Sequence, residues 1–146
     1  REIVFVDETF WVLFDTITGA GVHTIDSRFQ FYPGDVSAGG SRATTQYPDT
    51  NLLLETTGHW DRACVQKGEE GPRAGWYSAS YNKIEPSPTL CLTLETELPL
   101  QYAVLLLPYK GTSEPESRVV LTDGTADISV SGNSYRVSAS AATGGS

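Results

Sequence analysis

Phe10-Trp-Val-Leu-Phe-Asp-Thr-Ile-Thr-Gly-Ala-Gly-Val-His-Thr-Ile-Asp-Ser-Arg-Phe-Gln-Phe31 contains the two strand patterns on which the fold turns. Residues 9–18 are apolar at successive positions, so both faces of that strand need cover, and it belongs in the middle of a sheet. Residues 22–32 alternate instead. His23, Ile25, Ser27, Phe29 and Phe31 fall on one face, and Thr24, Asp26, Arg28 and Gln30 on the other. The turn residues Gly19-Ala-Gly21 lie between the two runs and predict a hairpin.

Outward from this stretch the pattern stays short and of period two. Strands are expected at 2–7, 51–57, 59–66, 76–83, 89–95, 101–108, 119–122, 126–131 and 135–140. Residues 33–42 and 67–75 read as Gly/Pro-rich loops. Asp123-Gly124 and Gly132-Asn133 mark tight turns. No window keeps apolar residues at helical spacing. The expectation is an all-β, two-sheet antiparallel β-sandwich with essentially no helix, formed by residues 1–140 as a single domain. Runs 9–18, 89–95 and 101–108 are its central strands. Residues 141–146 read as a linker or an appended tail.

The bulk numbers narrow the function classes. The chain has 146 residues, enough for one domain with a core. It has no methionine and starts with Arg1, which reads as a piece of a longer protein or a processed form. A net charge of −8 argues against a nucleic acid partner, which needs clustered Lys and Arg. No run approaches the roughly 20 apolar residues of a membrane-spanning helix. Cys64 and Cys91 are too few for a disulfide scaffold. One bridge between two strands fits an exported protein. Two separate buried thiols fit the same pattern. No Cys/His spacing suggests zinc, the acidic pairs Asp7-Glu8 and Glu69-Glu70 lack the spacing of a calcium loop, and no cofactor motif is present.

Two clusters are candidate carbohydrate-binding sites. Trp60 and Arg62 share a face of the expected strand 59–66, where a ring could stack on a sugar and a guanidinium could pair with a carboxylate. The competing reading makes Trp60 a core residue with Arg62 over it. Trp76, Tyr77, Tyr81, Asn82 and Lys83 form the second cluster, an aromatic strand beside an amide and an ammonium. Its competing reading is a face that packs on a neighbouring domain. The loop 67–75 joins the two segments, which predicts that they pair as a hairpin and build one surface. His23 reads as a hydrogen-bonded histidine at the edge of the core.

The segment Gly75-Trp-Tyr-Ser-Ala-Ser-Tyr-Asn-Lys-Ile-Glu-Pro-Ser-Pro-Thr-Leu-Cys-Leu-Thr-Leu94 resembles a stretch near the C-terminal end of heparinase II/III-like polysaccharide lyases. There a Gly-aromatic-Ser strand, a Tyr and a Pro-x-Pro bend lead into an apolar strand. Residues 10–31, followed by Pro33-Gly-Asp35, resemble a second stretch of these lyases, and the order extends to the strand 102–108. The resemblance covers roughly residues 2–110. It implies the C-terminal β-sandwich region of an exported, periplasmic or extracellular enzyme that cleaves uronate-containing polysaccharide by β-elimination. It also implies that the proton-transfer machinery lies mainly on a helical toroid, so no residue of this chain is assigned a catalytic role. The implied partners are neighbouring domains of the parent chain and the polysaccharide. An independent carbohydrate-binding module of an exported enzyme, or an immunoglobulin-like surface domain, is the alternative.

Overall fold

The computed structural model describes residues 1–139; the tail 141–146 and the domain boundary at 140 lie outside the described residues. The described chain is built from antiparallel strands. A central sheet takes β1 (Glu2–Val6), β2 (Phe10–Ile17), β4 (Val36–Gly39), β5 (Arg42–Thr45), β6 (Thr50–Thr56) and β13 (Leu100–Lys110) in the order β1-β2-β13-β6-β5-β4. A smaller sheet takes β3 (Val22–Gln30), β12 (Thr89–Glu97) and β7 (Arg62–Gln66) in the order β3-β12-β7. A C-terminal meander is formed by β14 (Ser117–Thr122), β15 (Thr125–Val130) and β16 (Asn133–Ser138). Two short hairpins, β8 (Glu69–Glu70) with β9 (Arg73–Ala74) and β10 (Trp76–Ser80) with β11 (Lys83–Pro86), lie between β7 and β12.

Period-two alternation sorts the core onto two faces of the central sheet. Phe10, Val12 and Phe14 of β2, with Ala103, Leu105 and Leu107 of β13, meet Val119, Ala126, Ile128 and Val137 of the meander. Leu13, Leu54, Tyr102 and Val104 point the other way, onto Phe31, Leu90 and Leu92 of the smaller sheet. Strand β2 is therefore covered twice, as its two-sided apolar sequence requires. The three runs expected to be central are central: β2 between β1 and β13, β13 between β2 and β6, and β12 between β3 and β7. The meander adds a third layer to the sandwich on the outer face of β2 and β13.

Several local expectations need correction. Strands β2 and β3 do not form a hairpin: β2 pairs with β1 and β13, and β3 pairs with β12. The glycines at 19 and 21 carry the chain from one sheet to the other. The same happens at 57–61, between β6 in the central sheet and β7 in the smaller one. The run 76–83 is not one strand but β10, a turn at Tyr81-Asn82, and the start of β11. The loop 33–42 contains the edge strand β4, whose four residues Val-Ser-Ala-Gly are too few to show an alternation. The last turn centres on Ser131-Gly132 rather than Gly132-Asn133, because Ser131 and Gly132 are the pair with positive φ.

Candidate functional site

Alternation leaves a polar outer face on the smaller sheet. Leu90 and Leu92 of β12, Ala63 and Val65 of β7, and Phe29 of β3 face the core. Their sequence neighbours therefore face outward in three cross-strand rows: Gln30, Thr89 and Gln66; Arg28, Cys91 and Cys64; Asp26, Thr93 and Arg62. Hydrogen bonds order this face. Gln30 donates to Ser87 Oγ at 2.9 Å and accepts from Thr89 Oγ1 at 2.8 Å. Gln66 Oε1 accepts from Arg28 at 3.1 Å and lies 3.0 Å from Cys91 Sγ, while its amide nitrogen donates to Glu69 at 2.9 Å. Burial pushes the Cys91 thiol above its ordinary pKa.

One end of this face is roofed by the segment between β7 and β12. Gly75 fixes the roof. Its carbonyl accepts the backbone N–H of both Gly68 and Ser87 at 2.8 Å, pinching the segment into a neck. Gly75 has φ +70°, and a Cβ there would sit 2.5 Å from Gln66 O, so only glycine fits. Beyond the neck, Trp76 donates its indole N–H to Glu69 O at 2.9 Å, and the Arg73 guanidinium lies 5.8 Å from the Trp76 ring centroid. Arg28, Gln30, Thr89, Arg73, Gly75 and Trp76 enclose an open cavity of about 360 Å³. Two cations and an aromatic ring converge there, on a chain of net charge −8, with Arg73 also in an exposed ion pair with Glu70 at 3.4 Å.

A groove of about 510 Å³ runs along the β10–β11 arm beside Asn82, Lys83 and Glu85, and two other larger grooves suit an anion poorly. One of about 540 Å³ is walled by Tyr47, Tyr109, Asn51 and Glu114. The Asn51 amide there is already bonded to Thr45, Tyr47 and Gly111, and Glu114 lies 2.8 Å from Arg42. Another of about 570 Å³ includes Arg1, but also Glu2 and Asp123, and Arg1 is held by Asp15.

The sequence-expected residues fall in different places. Trp60 lies in the crossing between β6 and β7, is 9% exposed, donates its indole N–H to Thr56 Oγ1 at 2.7 Å and packs edge-on against Tyr102. Burial withdraws its ring from the surface. Arg62 is exposed on the outer face of β7, two rows from Gln66. The expected hairpin of the two segments is absent, since β7 pairs with β12 and β10 with β11. Trp76 and Tyr77 lie on opposite sides of β10. Trp76 faces Arg73, whereas Tyr77 packs edge-to-face on Tyr32 at 5.4 Å. Tyr81 is fully exposed at the tip of the β10–β11 arm, beside Asn82 in the left-handed region and the exposed Lys83. His23 is exposed, with Nε2 3.1 Å from Ala20 O. Arg28, Gln30 and Arg73 do not stand out in the sequence as members of this cavity. Their signal was present only as polar positions on an alternating strand and a charge in a loop, and only the β3–β12 register brings them together.

No protein-family model and no curated protein matches the chain. Solved structures do. The heparan sulfate lyase HepC from Pedobacter heparinus superposes with a TM-score of 0.76 at 17% identity, over 94% of this chain and 23% of that one. The heparinase III gene product BT4657 gives 0.73 at 19% identity, with the same coverage. The chain shares its fold with a part of each of these two lyases. The chain spans about a quarter of the length of those lyases. The heparinase-like fold agrees with the resemblance carried by residues 10–31 and 75–94.

Proposed function

We propose that this chain is a non-catalytic β-sandwich domain of a heparinase II/III-like polysaccharide lyase, exported with its parent enzyme and acting on uronate-containing polysaccharide. The observation that carries the reading is the fold shared over 94% of this chain with a quarter-length portion of heparan sulfate lyase. A domain of this kind supports the catalytic part and contacts the glycan without doing chemistry. For support, the edge strand β1 offers an apolar face. Ile3 and Phe5 are exposed, and Phe5 stacks on Trp11 at 4.7 Å. Exposed apolar area of this sort is the usual surface of an interdomain contact.

For glycan contact, the reading selects the outer face of the β3-β12-β7 sheet and the arm above it. Trp76 supplies a ring for sugar C–H faces, and Arg28 and Arg73 supply donors for carboxylate oxygens. Arg62 extends the cationic line along β7. Tyr77, Tyr81, Asn82 and Lys83, on the β10–β11 arm, extend the contact beyond the cavity. Trp60 contributes by packing the crossing that positions β7. Because a hydrated polyanion gives only a few net contacts, the affinity is weak, with Kd on the order of 0.1–1 mM.

The test has two parts. The purified chain should produce no unsaturated-uronate absorbance from heparan sulfate or related substrates, and turnover that survives repurification overturns the non-catalytic role. Restoring the chain to its parent enzyme and deleting it again should lower the parent's stability or activity. An unaffected parent overturns the supporting role.

A further inference from the structure

Cys64 and Cys91 are direct partners in the antiparallel ladder of β7 and β12, and both are free thiols. Facing residues of such a ladder hold their Cα atoms about 4.5–5.5 Å apart. A disulfide spans about 4.4–6.8 Å. Both side chains leave the same outer face from facing positions, which puts the two sulfurs within reach of each other. Cys64 is half-buried and reachable from solvent, while Cys91 is buried beneath Gln66 and Arg28. An accessible attacking thiol next to a second cysteine that can resolve the mixed disulfide is an arrangement that supports thiol–disulfide exchange, and the raised pKa of buried Cys91 slows the resolving step.

We propose that Cys64 and Cys91 form a reversible redox pair, closing a cross-strand disulfide by exchange with an external low-molecular-weight or protein disulfide. The Cys64 thiolate attacks one sulfur of that disulfide, expels the other as a thiolate and forms a mixed disulfide. Cys91 then gives its proton to solvent, attacks Cys64 Sγ and expels the second external thiolate. Two protein thiols lose two electrons and two protons, and one external disulfide becomes two thiols. The loop so closed holds residues 65–90, which include β8 to β11, Arg73 and Trp76. Oxidation therefore staples the base of the arm, and it removes the Cys91 contact with Gln66 Oε1, leaving that oxygen to Arg28. The exposed side of Cys64 keeps the bridge open to reduction.

Glutathione disulfide is the probe. The reduced chain is equilibrated with it, quenched in acid, and examined by intact mass and by thiol titration in denaturant. The expected result is the loss of two hydrogens with no adduct, no titratable thiol, and full return of both thiols with dithiothreitol. Cys91→Ser should trap a glutathione adduct on Cys64, and Cys64→Ser should keep its single thiol. A wild-type chain that retains both thiols, or that accumulates stable glutathione adducts without losing two hydrogens, overturns the proposal. The wild-type measurement stands even if a variant folds poorly.

Discussion

The indole N–H of Trp60 donates to Thr56 Oγ1 at 2.7 Å, across the crossing that takes the chain from β6 to β7. That bond, with the edge-on contact to Tyr102, turns an apparent sugar-stacking residue into the pin of a sheet crossing. Trp60→Ala should cost about 3–5 kcal/mol, the range for a buried aromatic. Trp60→Phe keeps most of the packing, removes the donor and should cost about 1–2 kcal/mol. Urea unfolding measures both. A Trp60→Ala loss below about 1 kcal/mol would show that the ring does not serve the core.

Asp15 sits at the end of β2, nearly buried, and Arg1 meets it with two donors at 2.7 Å. Burial pushes the carboxyl up, but the hydrogen bonds from Arg1 and the nearby positive charge outweigh it and hold the pKa below its ordinary value. A carboxyl lowered on folding contributes stability above its unfolded pKa, and that contribution is lost as pH falls through the folded one. The chain should therefore lose stability below about pH 4. Asp15→Asn should flatten that part of the profile. Equal acid sensitivity in wild type and Asp15→Asn would assign it to other carboxyls.

Asp7 and Glu8 close the β1–β2 turn with φ +46° and +53°, a conformation in which a glutamate is strained. Glu8→Gly should stabilise the chain by up to about 1 kcal/mol. A lower thermal midpoint in the glycine variant would mean that the Glu8 side chain makes a contact worth more than the strain.

Gly75 is the opposite case. Gly75→Ala forces a Cβ to 2.5 Å from Gln66 O at positive φ, and should cost at least about 2 kcal/mol or open the neck. Hydrogen exchange at the Gly68 and Ser87 amides reads the neck directly. Unchanged protection in the variant would contradict the pinch at Gly75.

The layering of this fold was legible because alternation and two-sided burial are local properties. Val12 and Leu13 announce opposite cores from adjacent positions, and the structure uses both. Connectivity was not legible at 19–21 or 57–61, because a glycine turn that closes a hairpin and one that crosses between sheets share the same residues. Trp60 could not be placed without knowing that Thr56, four residues back, turns toward it. The cationic cavity was hidden for another reason. Arg28, Arg73 and Thr89 are distant in sequence, and their convergence depends on the β3–β12 register and the Gly75 neck. The aromatic segment 76–83 reads as one strand, but the hairpin turn at Tyr81-Asn82 puts Tyr81 at the tip of the arm and Trp76 at its base.

The most direct test of the glycan-contact reading is a calorimetric titration of the reduced chain with a heparan sulfate-derived uronate oligosaccharide. The wild type, Trp76→Ala and the double variant Arg28→Ala/Arg73→Ala are compared after circular dichroism confirms the same fold. The account expects saturable binding with Kd on the order of 0.1–1 mM, weakened by added salt and at least about tenfold weaker in the double variant. Absence of binding in the wild type, or an affinity unchanged in both variants, would contradict it.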